Sequence, residues 1–223
     1  MKINLHTHRA SNDRTTLDIV NQYPGDFDGA LPFYSIGIHP WYIVEESLES
    51  HLAVIDRQLQ SDRCLALGEC GLDKRIAMPM DIQIAVFERQ LALAEQHQKP
   101  VIIHCVSAFQ ELLAVRKRLN ISVPFVIHGF SKNLPIMRQL LQAGCYLSFG
   151  KYLLRNDKLA TVFMEVPHDR FFLETDTMEE TLEEVYQKAA AIKGLEVKEI
   201  EQYIENTALL VFGFSEKLRN ALA

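Results

Sequence analysis

The chain has 223 residues, of which 48% are hydrophobic and 23% are charged, with only 10 glycines and 8 prolines. This balance is typical of a folded globular protein and excludes a disordered or fibrous chain. The net charge of −6 argues against a broad basic surface for duplex nucleic acid, whereas a small phosphate-bearing substrate or a DNA end held by metal ions is compatible with it.

Short apolar runs that end in a polar residue recur along the chain, and each is predicted to be a strand. The first run contains His6 and His8, which share one face of a strand because successive side chains alternate. The eight runs are KINLHTH (2–8), LDIVNQY (17–23), FYSIGIHP (33–40), CLALGEC (64–70), PVIIHC (100–105), PFVIHGF (124–130), CYLSFG (145–150) and RFFLETD (170–176).

Segments of helical length lie between most of these runs. In the segment after the fifth run, Ser107 and Gln110 have the spacing of a capping box, and Ser131 is placed likewise before a helix that stops at Gly144. The predicted helices cover residues 47–59, 81–97, 108–119, 179–193 and 197–211, together with the periodic run through Leu134, Met137 and Leu141 that ends at Gly144.

Alternating strands and helices, with strands apolar on both faces, predict a parallel sheet covered by helices. Eight strands favour an α/β protein of the (β/α)8 TIM-barrel class, with an open doubly wound sheet as the structural alternative. The interval between His8 and Leu17 is too short for a full helix, which predicts a trimmed first β-α crossover. The length suits one large domain, and we expect residues 1–223 to form it.

Four histidines and two carboxylates occupy equivalent strand ends, which meet on one face of such a barrel. Burying these six polar side chains together would cost free energy unless a bound ion compensated the lost hydration, so the pattern predicts a metal centre. Cys70 and Cys105 are each one residue beyond a predicted ligand and should face the other way. The six predicted ligands are His6, His8, Glu69, His104, His128 and Asp176.

No apolar run reaches the roughly 18 residues that a membrane helix needs. The four cysteines form no CxxC pair, as is typical of reduced thiols in a cytosol. We therefore expect a soluble, cytoplasmic protein without a membrane partner, and no obligate protein partner is evident.

Six ordered motifs, LHTH, GIHP, GECGLD, PVIIH, VIHGFS and LETD, resemble the TatD family of metal-dependent hydrolases and deoxyribonucleases. The likeness extends from Asn4 to the segment around Asn206. It implies a (β/α)8 barrel with two adjacent divalent cations of undetermined identity (Zn, Mn or Mg). It also implies that His6, His8 and Asp176 bind the first cation, that Glu69 bridges both, and that His104 and His128 bind the second.

With two cations activating water, Asp176 is the expected group that orients this water and takes its proton. Glu69 is the second expected catalytic residue, and Glu174, on the strand face of Asp176 but deeper, is expected to support it. His39 is a candidate contact for substrate or water, with a structural role equally open. Lys74 is a candidate phosphate contact, with an ordinary solvated loop charge equally open.

Several positions depart from the family pattern. Val106 and Ser107 stand where relatives commonly have an arginine and an acidic residue. Lys74 stands where an aromatic residue is common, Met178 where a proline is usual, and Asn4 where an acidic residue is common. The ligands are kept while the surroundings of the substrate are altered, so the hydrolase class is better supported than the DNase activity.

Three functional classes follow. The first is a deoxyribonuclease that hydrolyses phosphodiester bonds of single-stranded DNA or DNA ends. The second is a metallohydrolase acting on a small phosphoester, amide or lactone. The third, a barrel that keeps metal only for folding or partner binding, is disfavoured because structural zinc sites usually close their coordination without an acid positioned for water.

Overall fold

In a computed structural model that describes residues 1–11 and 13–213, strands and helices alternate as the sequence predicts. The strands are β1 (Lys2–Thr7), β2 (Thr16–Gln22), β3 (Tyr34–Ile36), β4 (Cys64–Asp73), β5 (Val101–Val106), β6 (Phe125–Ile127), β7 (Tyr146–Phe149) and β8 (Phe171–Leu173). The α-helices are α1 (Leu48–Leu59), α2 (Met80–His97), α3 (Phe109–Arg118), α4 (Leu134–Gln142), α5 (Lys151–Arg155), α6 (Asp157–Glu165), α7 (Leu182–Lys193) and α8 (Val197–Phe212).

The sheet has eight strands in the chain order β1 to β8. Parallel pairing joins β1 with β2, β3 with β4, β4 with β5 and β7 with β8. An isolated parallel bridge between Thr7 and Asp176 joins the segments at the ends of β1 and β8. A doubly wound sheet would reverse its strand order at a switch point. The unbroken order therefore confirms the predicted (β/α)8 class.

Contacts divide the chain into two compact units: Met1–Val20 with the described part of Ile127–Ala223, and Asn21–Val126. In the first unit, Phe163 packs edge to face against Phe149 and Phe171, at centroid distances of 4.9 and 4.8 Å. In the second unit, the fully buried Phe87 of α2 lies against Phe125. A single domain over residues 1–223 stays a prediction.

The trimmed first crossover is confirmed, since the described residues between β1 and β2 contain no helix. The crossover between β7 and β8 carries two helices, α5 and α6, that the sequence analysis did not predict. Asn156 separates them and caps α6, its side chain accepting a hydrogen bond from Lys158 N.

None of the described helices combines enough length and apolar character to cross a membrane.

Two predicted helix starts are wrong. Ser107 has a left-handed backbone (φ 57°), whereas an N-cap residue needs extended geometry, and α3 starts after Ala108 without a side-chain cap. Asn133 rather than Ser131 caps α4, where its side chain accepts from Ile136 N. A reciprocal capping box does occur at Thr181, at the start of α7.

Candidate metal centre

In the first unit, the ends of β1 and β8 bring two histidines and a carboxylate together. Asp176 N donates to His6 O at 2.9 Å, and His8 N donates to Asp176 O at 3.2 Å. Asp176 has a φ of 52°, which turns the chain at this point. The backbone pairing thus fixes Asp176 between His6 and His8.

We call His6, His8 and Asp176 the first cluster. Asp176 Oδ1 lies 3.8 Å from His6 Nε2 and 3.4 Å from His8 Nε2. One ligand atom from each of the three residues lies within 4.8 Å of the others, a spacing that can hold a metal ion. His6 is fully buried, whereas 35% of the Asp176 side chain is exposed. The structure thus brings these three predicted residues together.

His128 directly follows β6 and lies beside the first cluster, with its ring centroid 4.4 Å from that of His6. The buried Glu174 carboxylate accepts from Gly129 N at 2.7 Å and lies 3.4 Å from His128 Nδ1. Glu174 therefore fixes the backbone and the ring at the end of β6. This contact supports the expectation that Glu174 assists the site.

The second unit holds a second cluster, which we define as His39, Glu69 and His104. Glu69 Oε1 lies 3.0 Å from His104 Nδ1 and 3.3 Å from His39 Nε2. The three side chains again offer ligand atoms within 4.8 Å of one another. His39 lies beyond the end of β3 and was predicted as a substrate contact, but the structure places it against Glu69.

Glycines shape the strand that carries Glu69. Gly68 and Gly71 have φ values of 135° and 144°. A Cβ on Gly68 would lie 2.3 Å from Ile102 O, and one on Gly71 would lie 2.0 Å from His104 O. Since only glycine fits such close backbone contacts, the GECG motif lets β4 approach β5 on both sides of Glu69.

Asp73 is a site residue that the sequence analysis missed. Its Oδ2 lies 3.2 Å from His104 Nε2 and accepts from Trp41 Nε1 at 2.8 Å. Burial opposes ionisation of Asp73, but hydrogen bonds from Trp41, Arg75 N and His104 outweigh it and lower the pKa of this carboxyl. The four-residue spacing from Glu69, which favours the same strand face, was the available signal.

Asn21 is a second missed residue. It is buried near the end of β2, and its Oδ1 accepts from Glu69 N at 2.7 Å. This bond fixes the backbone of Glu69 from the neighbouring part of the second unit. No sequence motif marks Asn21, because its role depends on the register of β2.

Hydrogen bonding assigns a proton position to His39. Its Nδ1 accepts from Trp41 N at 3.1 Å, so in a neutral ring the proton resides on Nε2 and faces Glu69. The geometry thus indicates a hydrogen-bond donor to Glu69, and the absence of His39 from the ligand set stays a prediction. Lys74, the other predicted substrate contact, forms an ion pair with Glu111 at 2.6 Å.

Both clusters offer imidazole nitrogen and carboxylate oxygen, the donors that zinc and other divalent transition metals accept. Cys70 and Cys105 are buried, and burial raises the pKa of the Cys70 thiol well above its usual value. Glu174 Oε2 is buried without a hydrogen-bond partner among the described residues. A buried carboxylate oxygen is costly unless a donor or cation compensates it. The donor atoms of the two clusters and this oxygen of Glu174 therefore fit divalent cations.

A cavity of about 840 Å³ opens beside the first cluster, within the first unit. His8 and Asp176 line it together with residues of the trimmed crossover, including Arg9 and Ser11. Since no helix occupies the described part of that crossover, the space next to Asp176 is accessible to a ligand.

The chain is similar to known proteins in sequence and in fold. The family model described as TatD related DNase matches residues 3–213. A Bacillus subtilis (strain 168) protein named uncharacterized metal-dependent hydrolase YabD is 32% identical over 168 residues, which are 74% of this chain and 65% of that protein. The 3'-5' ssDNA/RNA exonuclease TatD of Erwinia tasmaniensis is 32% identical over 172 residues, which are 75% of this chain and 64% of that protein.

The matches therefore span slightly less than two thirds of these two relatives. Among solved structures, the TatD homologue YJJV of Escherichia coli K12 superimposes with a TM-score of 0.82 at 22% identity, covering 96% of this chain and 98% of that one. At this identity the superposition supports the fold alone, and it agrees with the (β/α)8 class.

Proposed function

Because this chain belongs to the TatD family of metal-dependent hydrolases, we propose that it is a divalent-metal-dependent deoxyribonuclease. Its substrate is single-stranded DNA or a DNA end, whose phosphodiester bonds it hydrolyses. The observation that carries the proposal is the first cluster, where a partly exposed carboxylate lies against two histidines and lines a cavity. The DNase and exonuclease names among the relatives favour the same substrate class.

The first cluster would hold one divalent cation, and Glu69 with His104 a second. The bridging position of Glu69 and the share of His128 in the second site stay predictions. Nitrogen and oxygen donors without sulfur suit zinc or manganese better than magnesium. When bound, such cations stabilise charge on the reacting oxygens and make water a nucleophile near neutral pH.

Side chains of the protein carry out the proton transfer, the positioning of the ligands and the binding of the phosphate. Asp176, partly exposed at the cavity, orients the attacking water and accepts its proton. Glu174 positions His128, and Asp73 positions His104, as carboxylates commonly do for metal-binding histidines. His39 holds the Glu69 carboxylate. Lys74 is the proposed phosphate contact, and it would leave Glu111 to reach a substrate.

The proposal is tested by incubating an end-labelled single-stranded oligonucleotide with the chelated protein and then adding Mg²⁺, Mn²⁺ or Zn²⁺. Cleavage that stops with the chelator and returns with a cation is expected. A parallel panel of small phosphoesters, amides and lactones tests the alternative substrate class. Hydrolysis confined to that panel would contradict the nuclease and establish a small-molecule hydrolase.

A further inference from the structure

Trp41 combines a fixed position with a large exposed surface. Its indole Nε1 donates to the buried Asp73 carboxylate at 2.8 Å, and its backbone N donates to His39 Nδ1 at 3.1 Å. Even so, 57% of the residue is exposed to solvent. The indole is thus held at one edge while much of its apolar surface faces water.

This surface lies directly beside the second cluster. The indole centroid is 5.2 Å from the ring of His39 and 6.1 Å from that of His104. Tyr42, the next residue, is also 53% exposed, and Tyr23 contacts its ring edge to face at 5.3 Å. The Tyr42 ring lies 5.6 Å from that of His39, so two exposed aromatic side chains adjoin the second cluster.

A purely structural role does not account for the exposure. A tryptophan that serves only packing gains most when its whole ring is buried. Here the hydrogen bond to Asp73 uses the polar edge and fixes the ring plane, so little conformational entropy is left to lose when a flat ligand stacks on it.

We propose that Trp41 is the stacking platform for a nucleobase of a strand whose phosphate is bound at the second cluster. The inference rests on the proposed nuclease function and adds that the substrate must carry a base close to that phosphate. Aromatic stacking accepts any base because each has a π face, and it is a common way of binding single strands. The platform distinguishes a nucleic acid strand from a small ester.

The chain's single tryptophan makes direct observation possible, since all tryptophan emission comes from residue 41. The protein is titrated in Zn²⁺ with a phosphorothioate oligothymidine trinucleotide, which resists hydrolysis, and with abasic versions lacking one base at a time. Oligothymidine should quench the emission, and loss of one particular base should abolish most of the quenching. Equal quenching by the fully abasic strand, or no quenching by either strand, would overturn the platform.

Variants separate stacking from the hydrogen bond to Asp73. Trp41→Ala should raise KM for a phosphodiester trinucleotide about ten-fold, in line with the usual contribution of one stacked base. Trp41→Phe keeps a ring but loses the Nε1 donor, and it should recover most of the affinity. Met164→Ala, which removes an exposed apolar side chain in α6, should leave KM unchanged.

If Trp41→Phe is as impaired as Trp41→Ala, with kcat reduced and KM unchanged, Trp41 positions Asp73 and the platform is overturned. The two proposals fail in different ways. Base-dependent quenching without hydrolysis would retain the platform and contradict the nuclease. Hydrolysis with an unchanged KM in Trp41→Ala would retain the nuclease and contradict the platform.

Discussion

The side-chain amide of Asn4 holds Thr175 through two hydrogen bonds. Asn4 Oδ1 accepts from Thr175 N, and Asn4 Nδ2 donates to Thr175 Oγ1, each at 2.9 Å. Asn4 Nδ2 also donates to Asp18 Oδ1 at 2.9 Å. Because Asp176 is the next residue, this amide fixes the turn that presents the proposed proton acceptor.

Replacing Asn4 tests that arrangement. Asn4→Ala should lower the free energy of unfolding by about 1 kcal/mol, because it leaves the partly buried polar groups of Thr175 and Asp18 without their hydrogen bonds. It should also lower kcat, because the backbone before Asp176 loses its support. Urea unfolding and steady-state kinetics measure the two effects.

Asn4→Asp provides the matched comparison, since it keeps an acceptor for Thr175 N but sets a carboxylate against Asp18. Activity should fall in Asn4→Asp, because two carboxylates then face each other. It should recover when Asp18→Asn is added, because the new amide at position 18 can donate a hydrogen bond to the carboxylate at position 4. A double variant no better than the single one would show that Asp18 plays no part.

Glu174→Gln should weaken metal binding without unfolding the protein. The amide keeps the size of the side chain but loses the charge that faces His128, and changing such supporting groups typically costs about 10–100-fold in metal affinity or activity. Titration of the chelated protein with Zn²⁺, followed by calorimetry, measures the affinity. An affinity equal to that of the unaltered protein would exclude this role for Glu174.

Glu95 gives a pH-dependent contribution to stability. Its carboxylate accepts from Val123 N at 2.8 Å, Ser122 Oγ at 2.9 Å and Ser122 N. Partial burial opposes ionisation, but these hydrogen bonds outweigh it and lower the pKa of Glu95 below its usual 4.5. The folded state therefore binds its proton less readily than the unfolded state. The resulting stabilisation is present above pH 4.5 and is lost as the pH falls through the lowered pKa.

Glu95→Gln should accordingly lower the free energy of unfolding by about 1 kcal/mol at pH 7, a discounted value for a partly exposed charged acceptor. The difference should shrink below pH 4.5. Urea unfolding across this range measures it. Glu88→Gln, on the same helix and in an exposed ion pair with Arg118, should change stability little at any pH.

The cysteines should be unreactive in the folded protein. All four are buried, and burial raises the pKa of Cys64 to about 12. The thiolate is the reactive form, so iodoacetamide at pH 8 should label no cysteine until denaturant is added. Labelling of Cys64 or Cys70 before unfolding, located by peptide mass spectrometry, would contradict this burial.

The fold was largely predictable because each strand carries its own signal. Apolar runs such as PVIIHC become strands where expected, and the short interval after His8 correctly predicts the missing helix. The helix starts were less predictable. Ser107 has the right side chain for a cap, but its left-handed backbone, set by the tertiary structure, prevents that role.

The candidate site was likewise predictable only in part. The grouping of His6, His8 and Asp176 was predictable, because side chains alternate along the first predicted strand and Asp176 ends the eighth. Asn21 and Asp73 were missed because their roles depend on contacts across strands, which a single sequence does not encode locally. Trp41 was missed because its indole contact with Asp73 links residues separated by an entire helix.

The most direct test compares Asp176→Asn with the unaltered protein in hydrolysis of an end-labelled single-stranded oligonucleotide, with the bound metal of both proteins measured. Metal-dependent cleavage is expected for the unaltered protein. A loss of about 100-fold or more is expected in the variant, because it removes the proposed proton acceptor. Equal cleavage by the two proteins would contradict the claim that the first cluster carries out the reaction.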